Sequence, residues 1–154
     1  NTSATPEVLV AIGDLAGSTA STGLHHPTMT KYTIVTNDDH GTSNNIVFEI
    51  AYDEALQYNA GSAATLTLTA SAGSNVTATL THMNGVALAD ELQGNILRFT
   101  ATSAQATTYN LANNVTMSDP DLVDAISEVA LETSSKKFTS ARKTAIGYEA
   151  IVIA

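Results

Sequence analysis

Ala64-Thr65-Leu66-Thr67-Leu68-Thr69-Ala70, then Ser71-Ala72-Gly73-Ser74, then Asn75-Val76-Thr77-Ala78-Thr79-Leu80-Thr81: this stretch decides the fold class. Apolar and hydroxyl residues alternate one by one, which is the period of a strand and not of a helix. Leu66, Leu68, Val76, Ala78 and Leu80 share one face. Thr65, Thr67, Thr69, Thr77, Thr79 and Thr81 share the other. A small-residue turn joins the two runs, so the pattern predicts an antiparallel hairpin with one dry and one wet face. His82-Met83-Asn84-Gly85-Val86 follows, with Asn-Gly between apolar runs, a strong tight-turn signal.

Working outward, the same period recurs. Lys31–Thr36 reads as a strand, and Asn37–Asn44 as a polar turn cluster. Asn45–Tyr52 is a half-buried strand with Ile46, Phe48 and Ile50 on one face. Asp53–Tyr58 reads as one helical turn. Asn95–Ala101 is a strand that turns Leu97, Phe99 and Ala101 inward, and Thr107–Leu111 is a shorter one. Ser118-Asp119-Pro120-Asp121 has the residues of a helix start, and Leu122, Ile126, Val129, Ala130 and Thr133 then share a helical face. The alternative for this stretch is a strand over Ser127–Thr133. The last residues, Ile151-Val152-Ile153-Ala154, are apolar on both faces, as in a strand buried in a sheet or covered by a partner. Short strands with turns about every ten residues predict a mainly β chain. The expected fold is an antiparallel β-sandwich of the Ig-like or jelly-roll type with one short helix, over residues 24–154.

Residues 1–23 read differently. Thr5-Pro6-Glu7-Val8-Leu9-Val10-Ala11-Ile12-Gly13-Asp14 is β-prone, with no turn pairing it to the next segment. Val8, Val10 and Ile12 share one face; Leu9, Ala11 and Gly13 share the other. Ala16–Gly23 is a tether of small residues. A lone apolar strand on a tether needs an acceptor sheet, either its own or a neighbour's.

With 154 residues the chain is long enough for one domain with a real core. Charged residues make up only 14%, and Thr, Ser, Ala and Asn take their place, a surface common among secreted proteins. The formal net charge of −9 argues against nucleic acid and against an anionic membrane as partners. There is no cysteine, which excludes disulfides, thiolate metal sites and cysteine catalysis. No apolar run has the ~20 residues of a membrane-spanning helix. The chain begins at Asn1, which reads as a product of proteolytic maturation or of trimming.

Three features together resemble the subunits of filaments built by donor-strand exchange, chaperone–usher fimbrial subunits in particular. They are the extension Glu7–Asp14; the run Thr33-Ile34-Val35-Thr36-Asn37-Asp38 with Gly41 and Ile46–Ile50; and the closing Gly147-Tyr148 followed by Ile151-Val152-Ile153. The run from Thr33 resembles a turn of major pilins of the colonisation-factor type. The closing run is similar to a final strand held by a periplasmic chaperone. Other secreted filament subunits, archaeal ones included, also lend a terminal strand to the next subunit. The resemblance implies a sandwich lacking one strand, whose groove receives a neighbour's N-terminal strand. Val8, Val10 and Ile12 would fill its pockets, and Gly13 would allow close backbone approach. It further implies a secreted, cell-surface homopolymer whose partners are copies of itself and a secretion chaperone or outer-membrane assembly protein.

Other constellations are weaker. His25-His26, His40 beside Asp38 and Asp39, and His82 match no zinc spacing and read as solvated histidines. Asn37-Asp38-Asp39 reads as a turn rather than a calcium loop. The threonine rows are ordinary cross-strand pairs before they are an ice-ordering array. Asn1, Asn75 and Asn114 each open an Asn-x-Ser/Thr sequon, so Asn75 and Asn114 are glycosylation candidates. Neither a nucleophile elbow nor a phosphate loop is present, so the chain reads as a non-enzyme without a cofactor. Alternatives to a filament subunit are a phage or viral tail-tube or capsid-decoration protein and, behind that, a carbohydrate-binding module. The module wants exposed aromatics, and the chain has no Trp, five Tyr and three Phe.

Overall fold

Eleven short strands, β1 to β11, and one helical turn and a half, α1, follow one another in a computed structural model that describes residues 26–37, 45–118 and 121–154. The strand and tether expected in 1–23, most of the turn at 37–44 and the Asp119-Pro120 step lie outside the described residues. The elements are β1 (Met29–Asn37), β2 (Ile46–Tyr58), β3 (Thr65–Ala70), β4 (Val76–Met83), β5 (Val86–Ala87), β6 (Leu92–Ala101), β7 (Thr108–Asn110), β8 (Val115–Thr116), β9 (Leu122–Asp124), β10 (Lys137–Phe138), α1 (Ser140–Ala145) and β11 (Ile151–Val152). The main sheet runs β1-β2-β6-β4-β3-β7-β11, with β5 on β4 and β9 on β2; β8 and β10 form a separate pair. Every pairing is antiparallel. The chain is thus the mainly β, antiparallel, sandwich-like fold that the alternation predicts, its main sheet curled almost into a barrel.

The deciding hairpin forms in the expected register, with Thr65 opposite Thr79 and Thr67 opposite Thr77. Leu66, Leu68, Ala78 and Leu80 are buried, and Thr67 and Thr77 are exposed. The Asn84-Gly85 turn also forms. Both residues adopt positive φ, 49° and 79°, the twist that suits a two-residue hairpin loop. Asn84 does more than turn the chain. Its Oδ1 accepts from the backbone N–H of Asn95 at 2.9 Å and of Ile96 at 2.8 Å, and its Nδ2 donates to Asn95 Oδ1 at 3.1 Å.

The core lies inside the curl. Ile46, Phe48, Ile50, Tyr52, Leu56, Leu97 and Phe99 from β2 and β6 are buried together. The Phe48 and Phe99 rings stack with centroids 5.4 Å apart, and Tyr32 of β1 joins them, 5.6 Å from Phe48. Tyr52 is buried with its hydroxyl donating to the Ser135 carbonyl at 2.8 Å.

Three local expectations are corrected. Asp53–Tyr58 is not a helical turn but the continuation of β2. After an irregularity between Ala51 and Leu56, Leu56–Tyr58 pair with β6 on one edge and with β9 on the other. Two ladders and the burial of Leu56 and Tyr58 outweigh a single turn's own hydrogen bonds. The helix expected from Asp121 to Thr133 does not form either. Asp124 Oδ1 accepts from the N–H of Ile126 at 2.8 Å and of Ser127 at 3.1 Å, an Asx turn that diverts the backbone. Ile126 is 85% exposed and Val129 50%, so their helical spacing reflects no packed face. The alternative strand over Ser127–Thr133 shrinks to one bridge, Val123 to Ala130.

The short helix is instead α1, twenty residues downstream of the expected start. Thr139 caps it, accepting from the Arg142 N–H at 3.0 Å. At its other end Gly147 takes φ 75°, Tyr148 N–H bonds to Lys143 O and Gly147 N–H to Thr144 O, a Schellman motif.

Candidate assembly edge

The curl of the sheet stops short of closing. Its first and last strands, β1 and β11, face each other with no backbone ladder between them. Two contacts bridge them. At one end the Tyr32 N–H donates to the Ile146 carbonyl at 2.9 Å. At the other the Asn37 side-chain Nδ2 donates to the Val152 carbonyl at 3.2 Å. Beside the first bridge, Arg142 of α1 donates to the Met29 carbonyl at 3.3 Å.

Between the bridges the inner side of this seam between β1 and β11 is apolar, and the outer side mixes valines with the exposed Thr33 and Glu149. On the inner side lie Tyr32, Ile34, Tyr148, Ile151 and Ile153; Ile34 and Tyr148 are half-buried and the others buried. On the outer side Val35 is 46% and Val152 60% exposed, two of the few large apolar side chains that face solvent. The closing strand is therefore buried on one face only: Ile151 and Ile153 point in, Val152 points out.

Tyr32 has an unusual position. It is 5% exposed, with its ring 5.0 Å from that of Tyr148. Its hydroxyl is buried without a hydrogen-bond partner among the described residues. Burial, then the neighbouring Tyr148 and Glu149, push its pKa far above that of a free phenol. Tyr148 is better satisfied. Its oxygen accepts from the Leu111 N–H at 2.7 Å and donates to Asn110 Oδ1 at 3.1 Å. Burial still raises its pKa, partly offset by the Leu111 bond. Lys143 lies 4.6 Å over the Tyr148 ring and bonds to Leu111 O at 2.5 Å and Asn113 Oδ1 at 3.2 Å. Burial lowers its pKa. Lys143, Tyr148, Asn113, Ser140 and Thr144 line a shallow depression whose lining includes no carboxylate or histidine.

The proposed donor residues Val8, Val10, Ile12 and Gly13 lie outside the described residues. Asn75 and Asn114 are both exposed. Asn75 Oδ1 holds the Ala70 N–H at 3.0 Å, and Asn114 sits in a turn at φ 69°. His26 approaches Glu132 at 3.3 Å and His82 Nδ1 lies 2.9 Å from Thr81 Oγ1. Among the described residues no group of three or more His, Asp or Glu side chains is placed to hold a metal ion. The threonine face exists as a cross-strand row, Thr65-Thr79-Thr100-Val47-Thr36, beside the Glu49–Arg98 ion pair at 2.8 Å.

The sequence reading missed Tyr32, Val35, Asn37, Tyr148 and Val152 as one site. Two of its resemblance-bearing runs contain them, but only the curl brings those runs together. No helix among the described residues is long and apolar enough to cross a membrane. Compared with family models, curated proteins and solved structures, the chain matches none.

Proposed function

We propose that this chain is the structural subunit of an extracellular filament, assembling head to tail by donating the strand Glu7–Asp14 to the sheet of a neighbouring copy. The observation that carries the reading is the sheet that curls but does not close, leaving two strand edges with exposed valines. Open apolar edges recruit strands, and soluble proteins normally blunt them. The chain itself carries a β-prone apolar segment of the right length, joined by a tether. A strand added at an edge gains a backbone ladder, and its alternate side chains gain pockets. Burying Val8, Val10 and Ile12 is worth about 5–9 kcal/mol at ~1.5–3 kcal/mol each. Such a contact joins unlike surfaces, so it propagates as an open fibre. The hydroxyl-rich, acidic composition suits a surface exposed outside the cell.

Negative-stain electron microscopy and size-exclusion chromatography on the intact chain and on a variant lacking residues 1–17 test this. Fibres from the intact chain, monomers from the truncation and capture of a 1–17 peptide by those monomers are the expected results. A stable monomer at high concentration from the intact chain overturns the reading. Tubes or rings that still form without residues 1–17 overturn it in favour of a virion tube or capsid-decoration protein.

A further inference from the structure

Resting on that reading only for a place outside the cell, we infer that the Asn114 carboxamide is the attachment site of an N-linked oligosaccharide, and that Asn75 is not. Three Asn-x-Ser/Thr sequons begin at Asn1, Asn75 and Asn114. Asn1 lies outside the described residues. The other two sit in different surroundings, and the difference selects one of them.

Asn114 occupies the loop between β7 and β8, where Ala112, Asn113 and Asn114 are exposed in succession. The Val115 N–H donates to the Ala112 carbonyl at 3.2 Å, so these four residues form a β-turn, with Asn114 at its third position and φ 69°. The turn is braced by bonds that leave the Asn114 side chain out. Lys143 Nζ donates to Asn113 Oδ1 at 3.2 Å, and the Asn114 backbone N–H donates to the Phe138 carbonyl at 2.8 Å. The Asn114 carboxamide bonds to no other described residue. Asn114 and Thr116 are both exposed, and Val115 between them is half-buried. The amide nitrogen to be modified and the hydroxyl that a transferase recognises thus meet solvent together.

Asn75 differs on each point. Its Oδ1 accepts from the Ala70 N–H at 3.0 Å and clasps the β3–β4 turn. Val76 and Thr77 are laddered to Leu68 and Thr67 in the main sheet. A transferase must draw the sequon into its own cleft. At Asn114 that loosens β8 and β10, a separate pair of two-residue strands; at Asn75 it unzips the β3–β4 hairpin. The sugar comes from a lipid-phosphate-linked oligosaccharide supplied by the exporting cell. Asn114 Nδ2 attacks the anomeric carbon and the Nδ2–C1 bond forms. The C1–O bond breaks, its electron pair leaving on the lipid phosphate, and one Nδ2 proton passes to a base of the transferase.

Trypsin separates the sequons. Cuts after Lys31, Arg98 and Lys136 put Asn1, Asn75 and Asn114 on peptides 1–31, 32–98 and 99–136. The chain purified from its own source is digested, and the peptides are read by electron-transfer fragmentation, which keeps sugars on their residues. The expected result is a 99–136 peptide heavier by an oligosaccharide located at Asn114, beside an unmodified 32–98 peptide. Thr116→Val, expressed in the same cells, keeps Asn114 and its turn but removes the recognised hydroxyl, and loses the added mass. Thr116→Ser preserves the sequon and keeps it. An unmodified 99–136 peptide from the native chain overturns the inference. Sugar on Asn75 at equal or higher occupancy overturns the choice between the two sequons. Added mass that survives Thr116→Val places the sugar on a hydroxyl side chain and overturns Asn114 as its site. Fibres of chains unmodified at Asn114 overturn the glycan while the filament reading stands; monomers modified there overturn the filament reading and leave the glycan.

Discussion

Replacing Asn84 tests whether one side chain both turns the β4–β5 hairpin and holds the facing strand. Asn84 occupies the left-handed region at φ 49°. An alanine there costs about 1 kcal/mol more than an asparagine, which tolerates that region. Alanine also removes the acceptor for the Asn95 and Ile96 N–H groups and the bond to Asn95 Oδ1. The site is exposed, so water partly replaces them, and the loss is about 1 kcal/mol, the low end for such bonds. The total for Asn84→Ala is about 2 kcal/mol, or a fall in Tm of about 4–8 °C for a chain this long. Asn84→Gly restores backbone freedom and loses only the bonds, about 1 kcal/mol. Asn84→Asp keeps both the acceptor and the tolerance and loses about 0.5 kcal/mol. Urea denaturation of the variant lacking residues 1–17, followed by circular dichroism, measures the series. The order Ala, Gly, Asp from largest to smallest loss is expected. Equal losses for Gly and Ala would refute the conformational term, and an alanine variant as stable as the parent would refute both.

Two further substitutions probe the core and the seam. Tyr52→Phe leaves the buried Ser135 carbonyl without its partner and lowers stability by about 1–2 kcal/mol in the same assay; a change within error would mean that the bond contributes nothing net. Tyr32 has a folded pKa above its unfolded value of 10.0, so its contribution is full below about pH 10 and is lost as pH rises toward the folded value, where the unfolded state sheds its proton first. Stability therefore falls above about pH 10, Tyr32→Phe makes that fall shallower, and Tyr148 adds to it while Lys143, its pKa lowered, opposes it. A pH series of denaturation midpoints checks this, and identical alkaline slopes for parent and variant would refute it.

What the sequence revealed was local. Alternation over Ala64–Thr81 and the Asn84-Gly85 pair found their strands and turn because each signal is complete within a few residues. The run Asp53–Tyr58 misled because Glu54 takes the place between Tyr52 and Leu56 where the two-residue period calls for an apolar side chain, although Leu56 and Tyr58 keep the step and are buried. Leu122, Ile126 and Val129 misled because helical spacing arises without a buried face, and Asp124 commits the backbone to a turn first. Helix α1 has no buried residue and hence no apolar stripe to find. Thr139 and Gly147 were the legible signs of its ends. The seam was illegible because β1 and β11 are separated by almost the whole chain, and their meeting depends on every strand pairing between them.

One consequence follows from the way β2 is shared. It carries β6 along one edge and, end to end along the other, β1 and then β9. A pull on the chain ahead of Met29, directed along β1, is resisted by the whole β1–β2 ladder at once, not by one hydrogen bond after another. The aromatic contact of Tyr32 with Phe48 backs that ladder from the inside. A fibre whose subunits are joined through the segment before β1 would deliver tension in this shearing direction, where rupture requires many bonds to fail together. The ladder that holds β1 to β2 would thus fail as a unit under tension applied through the chain ahead of Met29.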